Sequence, residues 1–119
     1  MQLRQLPYRL SIAKYEKVLD GITGFFSLSS TREEISLVCE TERLPQGFLA
    51  CEDGWRALVV EGQLDFSLVG ILSALTGVLA QAKIPLFAIS TFDTDYLLVK
   101  ETNFADAIAA LKEKGYNIL

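Results

Sequence analysis

The reading of this chain turns on Trp55-Arg56-Ala57-Leu58-Val59-Val60-Glu61-Gly62, the uncharged run 66–82, Leu86-Phe87-Ala88-Ile89-Ser90-Thr91-Phe92, a turn at Asp93-Thr94, and Tyr96-Leu97-Leu98-Val99-Lys100. Residues 55–61 are largely apolar on both alternating faces, the mark of a strand lying centrally in a sheet. Leu68, Leu72, Leu75, Leu79 and Ala82 then recur at helical spacing. Ile71, Ala74 and Val78 widen that stripe, so the helix has an apolar face broad enough for contact on two sides. Pro85 closes the helical region, and residues 86–92 and 96–100 read as a hairpin around Asp93. Asn103, with Asp106 three residues on, is expected to cap a second helix with the stripe Phe104, Ile108 and Leu111. Lys112 and Lys114 suit its C-terminal dipole, Gly115 stops it, and residues 116–119 form a last short strand. The order β-α-β-β-α-β predicts an α+β, ferredoxin-like unit, an antiparallel sheet with both helices on one face.

Upstream the signals are weaker. Residues 1–7 read as a loose lead-in ending at Pro7, and residues 8–14 alternate as a half-buried strand. Residues 15–21 allow two helical turns at most, and residues 25–29 and 35–40 read as strands around a polar turn. A short helix around residues 48–51 is compatible with the mixed segment that follows. Sliding the chain by 61 positions pairs Phe26 with Phe87, Ser29 with Ser90, Leu37 with Leu98, Glu40 with Glu101 and Gly54-Trp55 with Gly115-Tyr116. The match predicts two tandem copies, a degenerate first half at 1–54 and a complete second one at 55–119. Residues 55–61 claim the last place in one copy and the first in the other, so the halves are expected to share or exchange terminal strands.

Composition narrows the function. Half of the 119 residues are hydrophobic and 22% are charged and dispersed, the profile of a folded globule. A net charge of -4 without a Lys/Arg cluster argues against a nucleic acid partner. The run 66–82 has the length of a short membrane span, but Ser67, Gly70, Ser73, Thr76, Gly77 and Gln81 interrupt it and no Lys/Arg excess flanks it, so no membrane partner is expected. Cys39 and Cys51 read as reduced structural thiols of a cytoplasmic protein. The absence of histidine removes the commonest general base and zinc ligand together. No metal, cofactor or catalytic residue is expected; an enzyme would have to rely on Asp65, Asp93 or Asp95.

The dense polar string Ser90-Thr91-Phe92-Asp93-Thr94-Asp95 is the candidate site. Read with Asp65-Phe66-Ser67-Leu68-Val69-Gly70-Ile71-Leu72, Gly77-Val78-Leu79-Ala80 and Ile84-Pro85, it resembles the ACT domain, and more narrowly the small bacterial tandem-ACT proteins related to the cytosolic arginine sensors of animals. The resemblance implies ligand sensing between paired domains, without chemistry, and on matching positions a pocket lined by Thr91, Phe92 and Asp95. The residues support a compatible account. A helix start at 67–70 offers unpaired amides for a ligand carboxylate, and Gly70 lets the ligand approach the backbone. Asp65 and Asp95 suit an ammonium or guanidinium, Thr91 adds a hydroxyl and Phe92 a wall. The expected ligand-binding set is therefore Asp65, Phe66, Ser67, Leu68, Val69, Gly70, Thr91, Phe92 and Asp95, the ligand an amino acid or similar molecule, and the assembly a homodimer. Helix capping by Asp65 and Ser67, turn formation by Asp93 and a core place for Phe92 are the structural alternatives. An interaction module without a ligand is the alternative function.

Overall fold

The structure is a computed structural model and describes residues 1–62 and 69–119. In chain order it contains β1 (Gln2–Gln5), β2 (Leu10–Tyr15), β3 (Phe26–Ser30), β4 (Ile35–Glu40), β5 (Ala50–Val60), α1 (Ile71–Gln81), β6 (Phe87–Ser90), β7 (Asp95–Lys100), α2 (Glu101–Glu113) and β8 (Asn117–Ile118). The chain divides into two units, Tyr8–Trp55 and Met1–Pro7 with Arg56–Leu119.

The larger unit follows the β-α-β-β-α-β order read from residue 55 onward. β6 and β7 form the expected hairpin, from Phe87 opposite Leu98 to Ser90 opposite Asp95, and β7 also pairs with β5. Residues 57–60 are all buried, in keeping with a central strand whose two faces are apolar. Leu75 and Leu79 of α1 and Phe104, Ala107 and Leu111 of α2 pack with Leu58, Val60, Leu97 and Val99 in one core. The Arg56 guanidinium lies 4.7 Å from the centre of the Phe104 ring and donates to the Leu6 carbonyl at 3.2 Å.

Residues 1–7, expected as a loose lead-in, instead supply a strand. β1 runs antiparallel to β5, with Leu3 opposite Val60, and parallel to β8, with Leu3 opposite Ile118. The sheet is therefore mixed, where a wholly antiparallel one was expected. Leu3 is 0% exposed inside the core just described, which is why so short a segment is ordered. The Leu119 amide donates to Leu3 and the Glu61 amide to Gln2, while Arg4 pairs with Glu61 on the exposed side.

Both helices end in the same way. In α2 the Tyr116 amide reaches back to the Leu111 carbonyl at 3.1 Å and the Gly115 amide to Lys112 at 3.0 Å, with Gly115 in the left-handed region that glycine adopts without steric cost. In α1 the Ile84 and Lys83 amides make the equivalent bonds to Leu79 and Ala80, each at 2.9 Å, but here Lys83 occupies the left-handed position at φ 60°. The start of α2 corrects the sequence reading. The helix begins at Glu101 directly after β7, Lys100 is the residue before it, and Asn103 lies inside the first turn. With no loop between strand and helix, the extended Lys100 backbone makes the transition and Glu101 meets the positive helix end.

In the smaller unit β2 pairs antiparallel with β4, from Leu10 opposite Glu40 to Tyr15 opposite Ile35, and β3 pairs with β4. The first half of β5 joins on the other side of β2, with Ala13 opposite Cys51. Neither helix suggested here is present. Residues 16–25 are irregular, since Asp20-Gly21 and Thr23-Gly24 break any helical run, and residues 50–51 belong to β5. A single 3-10 turn, Thr41–Arg43, follows β4. The core is Ala13, Tyr15, Ile35, Leu37 and Cys39, and the Tyr15 hydroxyl donates to the Pro45 carbonyl at 2.6 Å.

The two hairpins correspond at an offset of 60, not 61. Ser30 faces Ile35 as Ser90 faces Asp95. The Thr31 amide donates to Glu34 at 2.9 Å as the Thr91 amide donates to Thr94 at 2.8 Å, and buried residues 37–39 match buried residues 97–99. Runs of similar apolar residues match about as well when slipped by one, whereas a turn anchored by threonine does not; a slip would also exchange the two faces of each strand.

Burial pushes the Cys39 thiol from 9.0 up to about 11, with Cys51 and Glu40 adding in the same direction. Tyr15 is raised too, first by burial and then by the two cysteines. Above pH 9 the unfolded chain releases the Cys39 proton while the folded chain still holds it, so stability falls as pH rises toward 11. Urea midpoints across this range are expected to decline, and the decline to be shallower in Cys39→Ala. Equal slopes in the two proteins would show that the thiol does not contribute.

Candidate functional site

The hairpin β6–β7 positions the sequence-predicted polar string at one tip of the larger unit. Asp95 is the first residue of β7 and half-buried, and the Ser90 hydroxyl, directly across the hairpin, donates to its Oδ1 at 2.6 Å. An acid opening an apolar strand thus has a fixed partner, which orients the carboxylate and lowers the cost of its partial burial. Ser90 belongs to the candidate string but was left out of the expected ligand-binding set. Its signal was present, because two residues flanking a four-residue turn face each other in a hairpin.

Thr91 is used mainly by the turn. Its amide and its hydroxyl both donate to the Thr94 carbonyl, at 2.8 and 3.1 Å, and the Thr94 amide donates back to Thr91 Oγ1 at 3.3 Å. Thr94, expected as part of the turn, donates its own hydroxyl to the Val60 carbonyl at 2.8 Å, tying the hairpin tip to the end of β5. The first residues after β5 therefore leave from beside the Asp95 hairpin. Phe92 at the tip is 75% exposed, which rules out the core reading of its ring.

The other half of the predicted set lies around the start of α1. Asp65, Phe66, Ser67 and Leu68 fall outside the described residues. Val69 is 89% exposed, and Gly70 is the residue before the helix, with a left-handed backbone at φ 81° and its carbonyl accepting the Ala74 amide at 2.8 Å. The helix start expected at 67–70 is thus set at Ile71. The amides of its first turn, which have no intrahelical acceptor, belong to Ile71, Leu72 and Ser73. A Cβ at Gly70 would meet no other atom of the described residues within 4 Å.

The arrangement suits recognition. A carboxylate aimed by a serine, with hydroxyls and an exposed aromatic ring beside it, offers charge-assisted bonds to a cationic group. Among the described residues no group of His, Cys, Asp and Glu could hold a metal ion. A cleft of about 320 Å³ lined by Met1, Ala74, Val78, Lys114, Gly115 and Tyr116 contains none of the predicted site residues. No helix among the described residues is long and apolar enough to cross a membrane.

Helices and sheet in the β-α-β-β-α-β order, with an acid-bearing hairpin at one end, define an α+β, ferredoxin-like module. The ACT domain model matches residues 50–113, and the chain belongs to the ACT domain family. The cytosolic arginine sensor for mTORC1 subunit 1 of Bos taurus is 33% identical over 98 residues, covering 76% of this chain and 30% of the sensor. The chain thus spans about a third of the length of that relative. A crystal structure of protein Atu0741 from Agrobacterium tumefaciens is similar at 28% identity and a TM-score of 0.89, over 99% of this chain and 91% of that one. Aspartate kinase from Clostridium acetobutylicum shares the fold, at 12% identity and a TM-score of 0.67 over 93% of this chain and 33% of the kinase.

Proposed function

We propose that this protein is a noncatalytic amino acid sensor that holds its ligand at an ACT–ACT interface formed by two copies of the chain. The observation that carries the reading is Asp95, a half-buried acid fixed by Ser90 at the mouth of the hairpin, where it suits the ammonium or guanidinium of an amino acid. The amides opening α1 complement it as the place for a ligand carboxylate. The ring of Phe92, exposed in the single chain, is available to be covered by ligand or by a second copy. The smaller unit is a degenerate copy: at an offset of 60 its hairpin carries the buried Ile35 in the place of Asp95, and it lacks both helices. One ligand position per chain, in the larger unit, follows. Ligand binding shifts association or conformation to the extent that it favours one state over another.

A thermal-shift titration against the twenty amino acids, with light scattering for subunit number, tests this. An amino acid present at about 100 times its Kd adds roughly 2.7 kcal/mol of stability and raises the melting temperature of a dimer. A protein whose melting point no amino acid moves at millimolar concentration is instead an interaction module that keeps the fold without a ligand.

A further inference from the structure

We propose that the Tyr8–Trp55 unit contains a carboxylate-binding cradle that the chain keeps filled with its own Glu40. Glu40 is the last residue of β4, and its side chain is 15% exposed. The Phe25 main-chain amide donates to Glu40 Oε2 at 2.7 Å, and Arg43 Nε stands 3.7 Å from Oε1. Arg43 is held in this pose from the far side, where its Nη1 donates to Thr23 Oγ1 at 2.7 Å. Gly24 closes the ring of contacts. Its backbone is left-handed at φ 77°, and a Cβ there would overlap both Glu40 Oε2 and the Arg43 side chain.

An amide, a guanidinium pre-set by a hydroxyl, and a missing Cβ that allows close approach make up the donor set that recognises a carboxylate. The cradle is particular to this unit. At the 60-residue offset Glu40 corresponds to Lys100 and Arg43 to Asn103, so the larger unit has neither the acid nor the guanidinium at these places. The Arg43 side chain is half exposed, so the cradle has an open side through which a small carboxylate can enter when Glu40 leaves. Glu40 acts as a resident competitor, and this site is distinct from the ligand position at Asp95 and does not depend on it.

Chemical rescue tests the assignment. Glu40→Ala removes a methylene and a carboxylate, leaving space of about the size of acetate. At neutral pH and equal ionic strength, the variant is expected to melt several degrees below the wild type in chloride and to recover most of the loss in sodium acetate, with the wild type unmoved. The amide signals of Gly24 and Phe25 are expected to shift with acetate in the variant alone. Equal melting points for the variant in acetate and chloride would overturn the proposal. If Glu40→Ala does not fold in chloride, refolding is the readout: a folded protein in acetate supports the cradle, and an unfolded one in both salts overturns it. Adding Arg43→Ala is expected to abolish the rescue, and rescue that survives this loss also overturns it.

Discussion

Leu3→Ala is expected to destabilise the fold by about 3 kcal/mol, within the range of roughly 2–5 kcal/mol typical of leucine truncation in a packed core. Leu3 is 0% exposed and packs with Leu58, Val60, Leu97 and Leu111. Truncation removes transfer free energy and leaves a void that β1 cannot collapse into, because its backbone is bonded to β5 on one side and β8 on the other. Urea denaturation measures the effect. Arg4→Ala on the same strand is the control, since its pair with Glu61 is exposed and worth at most about 1 kcal/mol. A loose lead-in would make both substitutions nearly silent, at about 0.5 kcal/mol or less. A small effect for Leu3 would therefore show that β1 is not part of the folded sheet.

Asp95→Asn is expected to weaken amino acid binding about 10- to 100-fold while leaving stability within about 0.5 kcal/mol of the wild type. The substitution keeps the shape and the Oδ1 that accepts the Ser90 hydroxyl, and it removes only the charge. A hydrogen bond to a charged group contributes roughly 1.5–3 kcal/mol, which sets the size of the loss. Calorimetric titration reads it directly. Asp93→Asn provides the comparison, because Asp93 lies exposed in the turn and its substitution removes the same charge two residues away. Equal affinity in the wild type and Asp95→Asn would remove Asp95 from the site, and with it the observation on which the sensor reading rests.

Much of the fold was legible because long elements carry their own period. From residue 55 onward the types and order of elements follow from alternation in β5 and from the stripe of Leu75 and Leu79 in α1, and the family could be read from the string ending at Asp95. The Asp95 hairpin was legible too, with its strand bounds displaced by one to two residues. Other features were not. Asn103 looks like a cap, yet α2 starts at Glu101, because a helix that follows a strand without a loop takes its cap from the strand's extended backbone. The likeness of the two hairpins was visible but its register was not, since apolar strands match themselves nearly as well one residue out of step.

What the sequence determined by itself was local: where backbone period changes from two to 3.6, where Gly115 stops a helix, and which residue types cluster at the hairpin tip. What tertiary structure alone decided was long-range. Leu3 is a single apolar residue among polar neighbours, and nothing local distinguishes it from a loose end; it becomes a strand only because β5 and β8 leave a place between them for its hydrogen bonds and its side chain. The same holds for Phe25 beside Glu40, a pairing that exists only once the strands fix the distance between residues 15 apart in sequence. Short segments carry too few residues to reveal a period, so their structure is set by the partners the fold brings to them.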